Sequence, residues 1–167
     1  MPKINMSKCA NSQKGFTLLE ILLVVGIIAI LAGIVILAIN PTKQLGDARN
    51  AQRRADVLTI LNAIYQYTID NNGTIPATIT STSACALGAS LEIATGTATT
   101  TGSLVGLYSY LVGSAAASST YIVSIPRDPL ATSTGPGSGY SVTKTASSRI
   151  TVCAPLAENA VSISVTR

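Results

Sequence analysis

Lys14-Gly15-Phe16-Thr17-Leu18-Leu19-Glu20, followed without a break by nineteen apolar residues from Ile21 to Ile39, decides the reading of this 167-residue chain. A run of about 20 apolar residues is long enough to span a bilayer as a helix. Glu20 stands at its head, where an acid is out of place. An acid such as Asp costs about 2.5–3.5 kcal/mol at the centre of a membrane helix. The cost is smaller near the end of the run, but ionisable groups in such positions mark function and call for a partner.

A new amino terminus would supply that partner. Cleavage between Gly15 and Phe16 turns the Phe16 nitrogen into an α-amine, and such amines titrate at about 7.7–8.0. Glu20 cannot easily fold back onto its own amine once both lie on one helix. A second copy, shifted along a stack of helices, can offer its amine instead. The sequence therefore suggests self-assembly through the apolar segment.

The stretch from Lys14 to Glu20, continued by Ile21-Leu22-Leu23-Val24-Val25, resembles the type III signal of type IV pilins and pseudopilins. The match is strong over residues 14–39, looser to Asn72 and weak beyond. The resemblance implies a leader, residues 1–15, cut after Gly15 by a prepilin peptidase at the inner membrane, with methylation of the Phe16 amine. It also implies that Glu20 guides the subunit into a helical homo-oligomeric filament, built by an inner-membrane platform and its ATPase. The subunit would begin as a single-pass inner-membrane protein and end in a cell-surface or periplasmic filament.

Two plainer readings compete. A secretory signal peptide has a 7–15-residue apolar core and an Ala-x-Ala-like cut, and neither fits. A single-pass anchor fits the length but leaves Gly15, Phe16 and Glu20 without a role. Orientation is undecided by charge alone: Lys3, Lys8 and Lys14 precede the run, while Lys43, Arg49, Arg53 and Arg54 follow it. The positive-inside rule does not favour either end, whereas the resemblance places the N-terminus inside.

Composition fits one small exported head behind an anchor. Charged residues are 11% of the chain, against about a quarter in soluble domains. Of the eleven basic residues, three lie in the proposed leader, so eight remain against seven acids and the net charge falls from +4 to about +1. This balance gives no argument for nucleic-acid binding, and a nucleic-acid partner is left open.

Cys9 lies in the leader; Cys85 and Cys153 remain. Disulfides persist in exported proteins, and a Cys85–Cys153 bond is favoured over two reduced buried thiols. The chain has no His and no Cys-x-x-Cys pair, so no metal or other cofactor is expected.

Pro41 should break the helix that follows the membrane segment, because proline lacks an amide donor and clashes with the preceding turn. Gly26 and Gly33 weaken the run locally. The expected division is therefore 16–40 for the transmembrane and assembly helix, 41–73 for its amphipathic continuation and 74–167 for the head. In the second segment Val57, Ile60, Leu61 and Ile64 fall at i, i+3, i+4 and i+7, a core-facing stripe. Arg49, Arg53, Arg54 and Asp56 read as a solvated face. Gly73 is expected as the left-handed cap that stops the helix.

Residues 74–103 are polar and small and read as surface loop, where O-linked sugar is a lesser reading. Leu104–Val112 is ambiguous between strand and short helix, the resemblance favouring a helix beside the sheet. Tyr121–Ile125, Tyr140–Lys144, Ile150–Cys153 and Val161–Val165 read as strands. The fold class is thus α+β and pilin-like: a long N-terminal helix, its hydrophobic half in the membrane, packed on a small C-terminal antiparallel sheet.

Ile125-Pro126-Arg127-Asp128-Pro129-Leu130 resembles the turn entering the sheet of pseudopilins, in a group whose following loop can hold calcium. Calcium takes six to eight oxygen ligands, and Asp128 is the one acid between Glu92 and Glu158. Asp128 is thus a weak calcium candidate and reads as a turn residue. With no His, no second carboxylate beside Asp128 and no phosphate loop opening a helix, the chain is not expected to be an enzyme. A pilus subunit serving adhesion, motility or DNA uptake is the first reading, the thin calcium loop leaning that way. A type II secretion pseudopilin is the alternative, and a non-assembling anchored surface protein the second alternative.

Overall fold

The computed structural model describes residues 15–81, 92–96, 104–113, 121–131 and 135–167. The chain divides into two compact units, one ending at Pro41 and one spanning Thr42–Arg167.

In the first unit, α1 runs over Leu18–Ile39, 22 residues with none buried. At 1.5 Å per residue it is about 33 Å long, enough for the roughly 30 Å hydrocarbon layer. It is the one helix among the described residues long and apolar enough to cross a membrane. Apolar side chains surround it on every side, so the helix has no polar face to offer water. It ends at Asn40, which takes a left-handed conformation (φ 46°, ψ 79°). Asn tolerates that region because its short side chain bonds locally. Pro41 then opens the next helix rather than ending up inside one, the position where its missing amide costs nothing.

The second unit opens at the second residue of α2, Pro41–Asp70, whose buried residues include Val57, Ile60, Leu61 and Ile64. The expected stripe is therefore the core stripe. Its C-terminus closes with Gly73 N donating to Thr68 O (2.8 Å) and Asn71 N to Tyr67 O (3.0 Å). Both Asn72 (φ 54°) and Gly73 (φ 84°) are left-handed. Asn72 takes the residue just past the helix and Gly73 the one after, a Schellman-type stop one residue earlier than the glycine alone suggested.

The head carries β1 (Glu92–Ala94), β2 (Leu104–Val105), α3 (Tyr108–Leu111), β3 (Gly137–Lys144), β4 (Ile150–Cys153) and β5 (Ser164–Thr166). The strands form one sheet in the order β2-β1-β3-β4-β5. Pairing is antiparallel except for β1 with β2, which is parallel. The core joins the α2 stripe to Ile93, Val105, Leu107, Leu111, Tyr140, Val142, Ile150, Val152 and Ile163. The architecture is α+β and pilin-like, an apolar N-terminal helix followed by a mostly antiparallel sheet.

Several expected elements shift. Tyr121–Ile125 forms no strand: Tyr121 N and Ile122 N both donate to Leu111 O, and Tyr121 packs edge-on against Tyr67 at 5.9 Å. Its β-rich residues were recruited by an aromatic cluster instead of a ladder. Strand pairing at the C-terminus starts only at Ser164, because Asn159 and Ala160 turn back with positive φ and Val161 N closes that turn on Glu158 O. The expected alternation survives, since Ile163 is buried between exposed Ser162 and Ser164. β1 sits inside the stretch read as loop, a strand of three residues too short to show a period. Leu104–Val112 resolves the ambiguity both ways, as β2 followed by α3.

Candidate functional site: the amino-terminal helix and the head

Gly15 and Phe16 precede the helix, both exposed, Phe16 to 80%. Thr17 is the N-cap, extended at φ −79° and ψ 148°, and its Oγ1 accepts the Glu20 amide at 3.2 Å. Ile21 N donates to Thr17 O at 3.3 Å. A Thr three residues before a Glu is the sequence of a capping box, a signal present in the chain and missed in the reading above. Its consequence is local and chemical. The cap stops the helix at Leu18, so the Gly15–Phe16 bond lies in exposed, non-helical backbone where a peptidase can hold it extended.

Glu20 occupies the first turn of α1, where a carboxylate complements the positive end of the helix dipole. Its carboxylate has no hydrogen-bond or ion-pair partner among the described residues. An amine placed at Phe16 would meet the same dipole with the wrong sign. The start of the helix thus joins exposed, non-helical backbone at Gly15–Phe16, a carboxylate with no partner among the described residues and an apolar helix with none of its residues buried.

In the head, the residues read as a solvated charge face separate into two groups. Arg54 is exposed. Arg53 is fully enclosed, its side chain 0% exposed like that of Asp128. Arg53 Nε donates to Asp128 Oδ2 at 2.7 Å and Nη2 to Oδ1 at 3.0 Å. Its Nη1 reaches Asn50 Oδ1 at 2.9 Å and Glu158 Oε2 at 3.0 Å. Arg49 completes the cluster, with Nε and Nη2 on the Glu158 carboxylate at 2.8 and 2.9 Å. The hydrogen bond to Asp128 is the main reason the Arg53 guanidinium is held above its ordinary range, against the opposing effect of burial. Arg49 and then Arg53 hold the Glu158 carboxyl below its ordinary range.

Asp128 is therefore a buried ion-pair partner, not simply a turn residue, although its Oδ1 also accepts Leu130 N at 2.8 Å. Both of its carboxylate oxygens are taken by the Arg53 guanidinium. Among the described residues no group of three or more His, Cys, Asp or Glu could hold a metal. Asp56 accepts Tyr140 Oη at 2.6 Å, and burial first, then this bond, push the Tyr140 hydroxyl far above its usual value.

Cys153 is buried at the end of β4 and is held in a disulfide. Cys85 lies outside the described residues, as do Cys9 and the leader up to Lys14; the pairing of Cys85 with Cys153 stands as a proposal.

Comparison with known proteins places these features. The family model for the prokaryotic N-terminal methylation motif matches residues 10–36. The type II secretion system core protein G of Escherichia coli K12 is 35% identical over 65 residues, covering 39% of this chain and 43% of that protein. The protein of the same name from Aeromonas hydrophila is 38% identical over 60 residues, 36% of this chain and 41% of the relative. That from Pectobacterium carotovorum is 37% identical over 60 residues, 36% and 37% of the two chains. The chain thus spans about two fifths of the length of the curated relatives it matches. No solved structure matches. The chain carries a prokaryotic N-terminal methylation motif and is similar to type II secretion system core protein G over about two fifths of its length.

Proposed function

We propose that this chain is a structural, non-enzymatic subunit of a pilin-like filament, cut after Gly15, methylated on the Phe16 amine and polymerised through α1. The observation that carries the reading is the pairing of an accessible Gly15–Phe16 bond with an apolar helix whose single acid, Glu20, has no partner among the described residues. A membrane provides a solvent for α1 before assembly, and neighbouring copies provide one afterwards. Glu20 on one copy and the Phe16 amine on the next then neutralise each other. Such a pair acts as a device for register, as is best attested for buried polar groups.

The partners follow from that chemistry: a prepilin peptidase, a membrane platform with its ATPase, and further copies of the chain. Of the two filament classes left open by the sequence, the pseudopilus of a type II secretion system is favoured by the relatives, all secretion core proteins by name. A surface pilus for adhesion, motility or DNA uptake is the second reading.

Peptide mass spectrometry on sheared filaments and on membranes from cells making the full chain tests the proposal. A peptide beginning at methylated Phe16 is expected. Its abundance in sheared filaments supports a pilus, and its retention in the membrane fraction supports a pseudopilus. Intact chains starting at Met1 would refute processing and leave a plain anchored protein.

A further inference from the structure

The chain contains three Asn-x-Ser/Thr triplets: Asn5-Met6-Ser7, Asn40-Pro41-Thr42 and Asn72-Gly73-Thr74. The first lies in the proposed leader. The second has proline in the middle position, which disqualifies it as an acceptor for N-linked sugar. The third stands at the turn that closes α2, in the unit proposed to be exported. From this we propose that Asn72 is an N-glycosylation site, its substrate an oligosaccharide carried on a lipid diphosphate. The inference rests on the proposed export of the head.

The turn presents the triplet as an acceptor needs it. Asn72, Gly73 and Thr74 are all exposed. The amide of Asn71 is spent on Tyr67 O (2.8 Å), whereas the side chains of Asn72 and Thr74 have no partner among the described residues. The backbone is pinned by Gly73 N on Thr68 O (2.8 Å) and Thr74 N on Asn71 O (3.0 Å), so Asn72 projects from a fixed turn. A Cβ added at Gly73 would meet nothing within 4 Å, which shows the space around the middle residue. Sugar at this place is bulky and solubilising, and suits a surface turn. None of these side chains belongs to the core or to the ion-pair cluster, so modification leaves the fold intact.

In the transfer, the Asn72 Nδ2 attacks the first sugar carbon. A carbon–nitrogen bond forms, the bond from that carbon to the lipid diphosphate oxygen breaks, and the diphosphate leaves with the electron pair. The amide gives up one proton to the medium, and no oxidant or reductant is consumed. Thr74 Oγ1, two residues on, is the group that distinguishes an acceptor asparagine from any other exposed one.

The test uses the full chain, made in cells that carry a prepilin peptidase, an N-oligosaccharyltransferase and a lipid-diphosphate oligosaccharide of known mass, beside an exported control acceptor. Peptide mapping is expected to place the oligosaccharide on Asn72 in chains starting at Phe16. The whole mass increment should vanish in Asn72→Gln and Thr74→Ala and persist in Thr74→Ser. Processed chains bare at Asn72, or carrying Asp there without sugar, beside a modified control would overturn the inference and leave the filament reading standing. Sugar on Thr74 Oγ1 would overturn it too. Chains still starting at Met1 and bare at Asn72 would overturn both.

Discussion

Arg53 and Asp128 meet through two parallel hydrogen bonds, 2.7 and 3.0 Å long, with both side chains wholly enclosed and 75 positions between them in sequence. The pair ties the middle of α2 to the segment that leads into β3. Around it, Glu158 is fixed twice to Asn50, accepting Asn50 Nδ2 at its carbonyl (2.9 Å) and donating its amide to Asn50 Oδ1 (3.0 Å). Asn159 adds bonds to Lys43 O (3.1 Å) and Asp47 Oδ1 (2.8 Å). Two distant loops are thus fastened to one helix by charge and polar groups.

Removing one side of this pair should cost more than removing both. Asp128→Asn or Arg53→Met strands a buried charge or donor and should destabilise by about 3–5 kcal/mol. The double variant Arg53→Met with Asp128→Leu should recover most of that loss. Arg53→Lys should fail to rescue, because an ammonium cannot make the two-pronged contact. Thermal and denaturant unfolding of the full chain in detergent micelles reads these differences; a double variant that loses the sum of the two single losses would show that the pair is not coupled.

The ease of reading the chain varied with the range of the interaction. The run Ile21–Ile39 and the stripe Val57, Ile60, Leu61, Ile64 are local patterns set by one residue type and one period, and they gave α1 and the core face of α2. β3 and β4 were visible because their β-branched residues and turns lie close together. The Arg53–Asp128 contact is long-range and was read as solvent. A signal was available: Gly46, Asn50 and Arg53 fall on the same face as Val57, Ile60 and Ile64, and all are buried. A cation on a core face demands a buried acid, and Asp128 is the sole acid between Glu92 and Glu158. β1, with three residues, has no period to read.

Two groups should shape the pH dependence of the head from opposite sides. Glu158 is held below its ordinary value of 4.5 in the fold, chiefly by Arg49. Its contribution is present above about pH 4.5 and is lost as pH falls through the lower folded value. Tyr140 is raised above its ordinary 10.0, so its contribution is complete below pH 10 and declines as pH rises beyond it. Glu158→Gln should flatten the acid limb of a stability–pH curve and Tyr140→Phe the alkaline limb. A curve whose two limbs are unchanged in these variants would contradict the assignment.

Gly139 and Gly46 should respond to alanine in different ways. Gly139 has φ +81°, and an added Cβ would lie 2.7 Å from Asp128 Cβ and 3.3 Å from Leu156 Cδ1. Strain and overpacking together predict a loss of about 2–4 kcal/mol, with Asp128 pushed off Arg53. At Gly46 the new Cβ would meet the side-chain end of Asn159 at 2.8 Å, an exposed group that can swing aside at the cost of its bonds to Lys43 O and Asp47 Oδ1. Alanine is favoured over glycine in a helix by about 1 kcal/mol, so Gly46→Ala should be near neutral. Melting of the two variants side by side checks the order.

The disulfide prediction is a matter of mapping. With Cys9 removed, Cys85 is the remaining partner for Cys153, and a non-reducing digest of the mature chain should contain one cross-linked peptide pair holding both. Closing so long a loop is worth about 4 kcal/mol by chain entropy. Cys85→Ser and Cys153→Ser should therefore lower stability alike, and the double variant no further. Free thiol at both positions in exported protein would refute the pairing.

Glu20 separates assembly from anchoring most directly. In a filament its carboxylate leaves water to meet the Phe16 amine of a neighbour, and close charge pairs across an interface are coupled by about 1.5 kcal/mol or more. Each 1.4 kcal/mol is about tenfold in an equilibrium, so Glu20→Gln should lower filament incorporation by about tenfold or more. Processing should persist, because the Gly15–Phe16 bond lies outside the helix that Glu20 occupies. Membrane insertion should hold or improve, since the change removes a charge from the apolar segment. Quantifying the mature chain in filament and membrane fractions reads all three effects at once. A Glu20→Gln chain that enters filaments as well as the parent would mean that the carboxylate plays no part in joining subunits.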